Sequence, residues 1–398
     1  MAWRRLIGLS EVGRVMKVQE VILRAMSGQL RWYQAAEILG ISDRQMRRWR
    51  RRYEEHGYDG LFDRRRRWPS PRRIPMEVAE EVLRLYREEY FDFNVRHFHE
   101  ELAERQGVKV SYSWTKALLQ GAGLVKKAKK RGRYRRRRER RPLPGMLLHL
   151  DGSPHHWFED QGDDYQTLLA VLDDANSKCL AAELVGQEGT IEVLKIIKEV
   201  VERHGTFISL YTDRASHFVY TPKAGSAPDR SKKTQVERVL DELGIELIPA
   251  NSPQARGRGE RAWRTFQGRL VPELRRAGAK TYEEANRYLK EVFVPKFNRR
   301  FSLKTAEGET AFIPAIGADL GRLFALRHER KVGQDNVVHF ENQALQLPKI
   351  KGVSTLAGRK VEVRRRLDGS LDILAGKRLV ASLPQPDKAH SKQDHLAT

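Results

Sequence analysis

Apolar positions along this chain keep a helical period at first and then change to strand-like runs. Val18, Val21, Ile22 and Ala25 recur at helical spacing and predict an amphipathic helix. Trp32–Leu39 predicts a second helix. Gly40-Ile41-Ser42 then reads as a tight turn, with Ser42 or Asp43 placed to cap a third helix. In that helix Met46, Trp49 and Tyr53 share one face, while Arg44, Gln45, Arg47, Arg48 and Arg51 occupy the others. Small Ala36, turn-forming Gly40 and an Arg-rich last helix match a helix-turn-helix that offers long polar side chains to a major groove. The blander alternative is a three-helix bundle with a solvated basic face. A second helical stretch follows Val78, Val82 and Leu85, with further helices over Phe93–Glu104 and Ser111–Leu119, broken by Gly107 and Gly121.

The period then shortens. Met146–Leu150, Tyr165–Leu172 and Lys178–Leu184 predict three strands, the last two joined by the turn Asp173–Asn176. Ile191, Leu194, Ile197 and Val201 mark a helix, Phe207–Thr212 a fourth strand and Gln235–Leu243 a second helix. Glu246–Pro249 is a fifth strand and Arg258–Leu274 a third helix. A three-strand meander followed by alternating helix and strand predicts a mixed sheet flanked by helices. Towards the end, Val361–Leu367 and Ser370–Leu374 flank Asp368-Gly369 as a hairpin, and Val337–Phe340 with Ala344–Leu347 suggest another. A small β-barrel fits this stretch, with Arg364–Arg366 placed to touch DNA.

The chain is therefore expected to be multidomain. A helix-turn-helix domain spans 1–62, a basic Pro-containing linker 63–75, a second helix-turn-helix-like domain 76–124 and an Arg/Lys-rich linker 125–142. An α/β domain covers 143–300, a linker 301–319, a C-terminal β domain 320–384 and a disordered tail 385–398.

Charge narrows the partner. Lys and Arg number 75 against 52 Asp and Glu, a formal charge of +23 over 398 residues. A field of that sign favours nucleic acid or an anionic membrane. Membrane is the weaker choice, because no apolar stretch approaches the roughly 20 residues of a spanning helix. Met1–Ser10 lacks the layout of a signal peptide. The single cysteine, Cys179, excludes an internal disulfide and any Cys-pair zinc site. A cytoplasmic, nucleoid-associated protein is expected. Lys126–Arg141 holds 12 basic residues in 16; such a segment repels itself into an extended arm able to neutralise phosphates through Arg133, Arg135 and Arg136.

Three carboxylates stand out against this background. Asp151 follows the run Met146–Leu150, and because Leu148 and Leu150 alternate with it, it points to the opposite sheet face. Asp213 ends a strand that the α-crossover makes parallel to the first, and open α/β sheets bind ligands at such strand ends. Glu260 lies at the edge of a helix stripe formed by Trp263, Phe266 and Leu270. Phosphodiester displacement needs a deprotonated oxygen nucleophile, a stabilised leaving oxygen and charge neutralisation at phosphorus. Two Mg²⁺ ions roughly 4 Å apart meet all three needs. Hard cations take carboxylate oxygens, and Mn²⁺ can substitute. Any single acid also reads as a solvated loop residue or a cap; Asp163, Asp164, Asp173 and Asp174 read as turn residues.

The order of elements and acids resembles the ribonuclease H-like core of retroviral integrases and DDE transposases. It is carried by His149-Leu150-Asp151-Gly152, by Tyr211-Thr212-Asp213-Arg214-Ala215-Ser216-His217-Phe218 and by Asn251-Ser252-Pro253-Gln254-Ala255-Arg256-Gly257-Arg258-Gly259-Glu260-Arg261. With the flanking domains, the whole plan resembles bacterial insertion-sequence transposases of the ISNCY type. The resemblance implies that Asp151, Asp213 and Glu260 are the acidic triad, holding two Mg²⁺ for both cleavage at transposon ends and joining of the exposed 3′-hydroxyls to target DNA. Arg44, Gln45, Arg47, Arg48 and Arg51 would then contact terminal repeats, and Arg256, Arg258, Arg261 and Arg264 would hold phosphates. Double-stranded DNA, both ends and target, is the partner, and a homodimer or higher homo-oligomer joins the ends. Arg214-Ala215 replaces the Asn-Gly of many relatives. The interval from Asp213 to Glu260 exceeds the integrase spacing, and the polar stretch Tyr220–Lys233 accommodates the excess cheaply. One cysteine rules out the integrase zinc module, so His97, His99, His155 and His156 are expected to be structural or DNA-contacting. No phosphate-binding Gly-Lys loop implies ATP. Two rivals are a domesticated non-catalytic DNA-binding regulator and a ribonuclease H-fold nuclease without strand transfer.

Overall fold

A computed structural model describes residues 9–62, 73–127, 139–158, 165–222, 229, 231–250, 257–305, 308–341, 343–349 and 355–384. The chain divides into two compact units, Met1–Val82 and Leu83–Thr398. Arg133, Arg135, Arg136, Arg256, much of the expected arm and the tail 385–398 lie outside the described residues, as does the side chain of Arg258.

In the first unit, helices α1 (Leu9–Met26), α2 (Trp32–Leu39) and α3 (Asp43–His56) enclose Val18, Ile22, Ala25, Ala35, Ala36 and Met46. Ala36 is small enough for the helices to close over it. Gly40 turns the chain at φ 66°, a left-handed conformation that costs glycine little, and its N–H returns to carbonyls of α2. Ser42 then caps α3, its hydroxyl accepting the Gln45 N–H at 3.3 Å. The three-helix arrangement expected from the apolar period is present.

Helix α4 (Met76–Glu88) contains the division between the units, and α5 (Val95–Glu104) and α6 (Tyr112–Gly121) follow it, capped by Asn94 and Ser111. The central sheet is built from β1 (Leu148–His155), β2 (Gln166–Asp173), β3 (Cys179–Val185), β4 (Ser209–Thr212) and β5 (Glu246–Pro249), with α7 (Thr190–His204) and α8 (Gln235–Glu242) between later strands. Strand order is β3-β2-β1-β4-β5. The first three strands are antiparallel; β4 runs parallel to β1, and β5 to β4. This is the mixed sheet expected from a three-strand meander followed by alternating helix and strand. Every residue of β2 is buried, because both faces of the sheet are covered. Leu169 and Val171 pack with α7 and α8, whereas Leu168, Ala170 and Leu172 pack with Trp263, Phe266 and Phe297.

Three differences from the sequence reading bear on the site. First, β1 does not stop at Asp151: Gly152–His155 continue the ladder against β2, so Asp151 is a mid-strand residue. Second, the single helix expected over Arg258–Leu274 is two, α9 (Gly257–Gln267) and α10 (Leu270–Ala277). They separate at Gly268, whose carbonyl accepts the Asn94 side-chain amide at 2.9 Å. Third, α11 (Tyr282–Tyr288), a π turn (Leu289–Phe293) and α12 (Val294–Phe301) extend this layer. Ala285, Leu289, Phe293, Phe297 and Phe301 step every four residues, a signal that was legible.

Buried charge docks α5 on this layer. Arg269 and Arg300 hold Glu100 at 2.6 and 2.8 Å, and Arg275 holds Asp92 at 2.6 Å. Lys296 meets Glu101 at 2.6 Å, and His97 Nε2 lies 2.9 Å from Glu273. Burial pushes the Glu273 carboxyl up, but His97, Lys296 and the Tyr288 hydroxyl outweigh it and hold the group below its ordinary value. Glu100 is likewise pushed up by burial and held low by Arg269, Arg300 and His97.

The C-terminal strands are β6 (Ala325–Lys331), β7 (Val337–Phe340), β8 (Gln343–Gln346), β9 (Lys360–Arg366), β10 (Leu371–Ala375) and β11 (Arg378–Leu383). They form a four-stranded sheet, β11-β10-β9-β6, and a two-stranded ribbon, β7-β8, over a shared core of Val338, Phe340, Leu345, Val363 and Ile373. Both expected hairpins form, with Gly369 at φ 87° in one turn. The expected small β-barrel does not: among the described residues β6 and β11 remain sheet edges. Hairpins follow from local turn chemistry, but closure needs edge strands far apart in sequence to pair. Each arginine of the Arg364–Arg366 run is paired with an acid of the fold, and only Arg364 is buried. Arg364 pairs with Glu362 and Glu242, Arg365 with Glu341, and Arg366 with Asp372, which is only 1% exposed. No helix among the described residues is long and apolar enough to cross a membrane.

Candidate active site and DNA-reading helix

Leu148 and His149 of β1 stand opposite Leu210 and Tyr211 of β4. Asp151 lies two residues past His149 within β1, and Asp213 lies two residues past Tyr211, directly after β4, so the parallel pairing brings the two acids to neighbouring segments. Asp213 is the first residue past β4, and its Oδ1 accepts the Ala215 N–H at 2.8 Å, closing the turn on its own carboxylate. Helix α9 lies over β1. The Trp263 indole N–H donates to Asp151 Oδ2 at 3.0 Å, and a Cβ placed on Gly259 would come 3.8 Å from the same oxygen. His149, Asp151, Tyr211, Thr212, Gly259 and Trp263 line a small pocket here.

Glu260 adjoins Gly259 in the first turn of α9 and is exposed. The sheet edge and the helix above it thus carry all three expected acids, yet their oxygens are not all within 4.8 Å of one another. Among the described residues the one such cluster is His97, Glu101 and Glu273, where Lys296 already supplies a cation to both glutamates. The sequence reading placed Trp263 in the apolar stripe of its helix and Gly259 in the third motif, but gave neither a role beside Asp151. Their spacing of four places them on one helix face, towards Asp151.

The histidines set aside as structural have protein contacts. His97 is fully buried beside Glu273, and His99 Nε2 lies 2.9 Å from the Val110 carbonyl. His155 packs edge-on against Trp157, its pKa held down by burial and by His156, which lies against Tyr165. Of the expected turn acids, Asp163 and Asp164 lie outside the described residues, and Asp173 and Asp174 are buried. Asp173 accepts N–H groups of Gly145, Ala175 and Asn176, and Asp174 Oδ1 lies 2.9 Å from His149 Nε2.

On α3, Met46 is buried while Arg44, Gln45, Arg47, Arg48 and Arg51 are exposed. Arg50 stacks over Trp32 at 4.6 Å and pairs with Glu54, and Arg51 lies 3.8 Å from Glu55. Arg261 and Arg264 are exposed on α9.

Two family models match the amino-terminal part, one described as a helix-turn-helix domain over residues 19–70 and one as a homeodomain-like domain over 45–119. Across 370 residues the chain is 33% identical to y4bF of Sinorhizobium fredii (strain NBRC 101917 / NGR234), a protein with a provisional transposase name, covering 92% of this chain and 80% of that one. The chain belongs to the transposase family. It is also 28% identical over 369 residues to the transposase for insertion sequence IS1202 of Streptococcus pneumoniae, covering 84% of this transposase and 78% of the relative. Overlap with solved structures is low. The simian T-cell lymphotropic virus intasome in complex with PP2A regulatory subunit B56 gamma gives a TM-score of 0.32 at 11% identity, covering 76% of this chain and 96% of that one. The HTLV-2 integrase catalytic core domain in complex with magnesium gives 0.27 at 13% identity, covering 38% and 88%. The assignment rests on the sequence relatives and the helix-turn-helix models, and makes this transposase a DNA-binding enzyme of the polynucleotidyl-transferase type.

If α3 reads base edges, Arg47→Ala lowers the preference for end-containing over random duplex by about 5- to 100-fold, the worth of one good base contact. Competition binding at fixed salt checks this; an unchanged ratio removes Arg47 from sequence reading.

Proposed function

We propose that this transposase cuts at the ends of its element and joins the exposed 3′-hydroxyls to target DNA, with Asp151, Asp213 and Glu260 as its acidic triad. What supports the reading is that β1, which holds Asp151, runs parallel to β4, which Asp213 directly follows, and that the helix bearing Glu260 reaches Asp151 through Trp263. The donor set is all oxygen, the kind hard divalent cations take. Trp263 orients the Asp151 carboxylate through one oxygen, and a carboxylate offers about four lone-pair sites. Two Mg²⁺ ions, or Mn²⁺ in their place, would supply activation of the attacking oxygen and charge neutralisation at phosphorus.

The remaining residues bind and orient. Arg261 and Arg264, with Arg256 and Arg258, would hold phosphates along α9. Arg44, Gln45, Arg47, Arg48 and Arg51 would contact terminal repeats, and Arg133, Arg135 and Arg136 would neutralise backbone charge between the two. The α5–α6 segment is docked on α10 and α12, which suits a part that keeps bound DNA in register with the site. Two ends must be brought together, so a homodimer or higher homo-oligomer would act on the DNA.

Joined products separate this reading from a nuclease on the same scaffold. Incubating purified protein with Mg²⁺, an end-containing duplex and a plasmid target should yield nicked ends carrying 3′-hydroxyls and then covalently joined DNA. Glu260→Gln should reduce both steps together by about 10²-fold or more. Cleavage without joining would favour the nuclease; an unaffected Glu260→Gln enzyme would remove that residue from the triad.

A further inference from the structure

The turn that follows Asp213 is held from a second direction, on the face of β1 away from Trp263. Strand alternation turns Gly152, next to Asp151, towards the α7 side, and there it meets Glu188 of the loop between β3 and α7. A Cβ on Gly152 would come 2.2 Å from Glu188 Oε2 and 3.3 Å from Leu169 Cδ2, so a side chain there would displace the Glu188 carboxylate. Gly152 leaves room for that carboxylate in its present place. The other oxygen of Glu188, Oε1, lies 2.9 Å from His217 Nε2, in the segment four residues past Asp213. Both side chains are largely shielded, at 9% exposure for His217 and 23% for Glu188. His217 is braced in turn by the ring of Phe218, which is buried in the core beneath β4. One carboxylate thus touches the strand that carries Asp151 and the turn that carries Asp213.

We infer that Glu188 and His217 are a positioning pair that sets the spacing of Asp151 and Asp213. The inference rests on the triad proposed above. Neither residue reaches the acids directly, so neither is assigned a step in the chemistry. Removing a group hydrogen-bonded directly to a metal ligand typically changes metal affinity or activity by about 10- to 100-fold, and a brace one step further out is expected at the low end, about tenfold.

The experiment measures Mn²⁺ binding by loss of the free-ion electron paramagnetic resonance signal, using full-length protein bound to an end duplex, with strand transfer assayed in parallel. Glu188→Ala should raise the Mn²⁺ concentration for half-saturation about tenfold or more and slow strand transfer, while end binding stays at the wild-type level. Gly152→Ala should do the same by expelling Glu188. In the Glu188→Ala background, Gly152→Ala should add little, because its main obstacle is gone. Wild-type Mn²⁺ titrations for both single variants would overturn the positioning role, and so would fully additive effects. Asp151→Asn serves as the reference: if it binds Mn²⁺ like wild type, the triad itself fails, whereas a loss confined to Asp151→Asn refutes only the pair.

Discussion

Asp151→Asn is expected to abolish strand transfer, by at least about 10³-fold, or ~4 kcal/mol of transition-state stabilisation. The substitution is nearly isosteric, and the amide oxygen can still accept the Trp263 N–H that Asp151 Oδ2 accepts at 3.0 Å. What it removes is negative charge at the centre of the strand pair that carries Asp213. Hard cations bind amide oxygens far less strongly than carboxylates, so the loss should fall on the chemical step and on metal binding, not on folding. If end-specific DNA binding lies with α3, as proposed, it should be unchanged, because α3 belongs to the other compact unit. Rates measured with saturating end DNA over a range of Mg²⁺ check this. An Asp151→Asn enzyme within tenfold of wild type would take Asp151 out of the mechanism.

The second large effect is on stability. Glu273 is 5% exposed; it accepts the Tyr288 hydroxyl at 2.8 Å and lies 2.9 Å from His97 Nε2 and 3.4 Å from Lys296 Nζ. Burial and the nearby Glu273 charge push the Tyr288 hydroxyl up, so it remains a donor. Glu273→Gln leaves this pocket with buried positive charge and one carboxylate, Glu101, to balance it. Breaking a buried pair in this way costs about 3–5 kcal/mol. The pH dependence has a definite sign. Because Glu273 is held below its ordinary value, its contribution is complete above the ordinary glutamate range and is lost as pH falls through the depressed folded value. The gap in melting temperature between wild type and Glu273→Gln should therefore be widest near neutrality and narrow in acid. Thermal melts between about pH 7 and pH 3 test it; a gap independent of pH would show that Glu273 acts through shape alone.

Several elements were legible because their causes are local. The helix-turn-helix follows from apolar spacing, Ala36 and the Gly40–Ser42 turn, all within one short stretch. The β9–β10 hairpin follows from Asp368-Gly369. In the candidate site, Asp213 could be placed at the C-terminal edge of a strand parallel to the one that leads to Asp151, since alternation and strand direction need only the pattern of residues. Glu260 could be put on a helix, but the neighbours that bring that helix down, Gly259 and Trp263, carry no chemistry of their own to mark them. Glu188 was equally hidden: it gains meaning only through Gly152 and His217, residues on two other elements.

Read alone, the chain determined its helical and strand periods, its basic excess, the place of Asp213 at a strand end and the order in which elements alternate. Folding decided what depends on pairing across long separations: that β1 runs past Asp151, that α9 and α10 part at Gly268, and that the C-terminal sheet stays open. It also paired the arginines of the Arg364–Arg366 run with acids and bound α5 to α10 and α12 through buried charge. The reason is physical. Backbone propensity and turn chemistry act over a few residues, whereas register, sheet closure and ion-pair choice depend on which distant surfaces exclude water together.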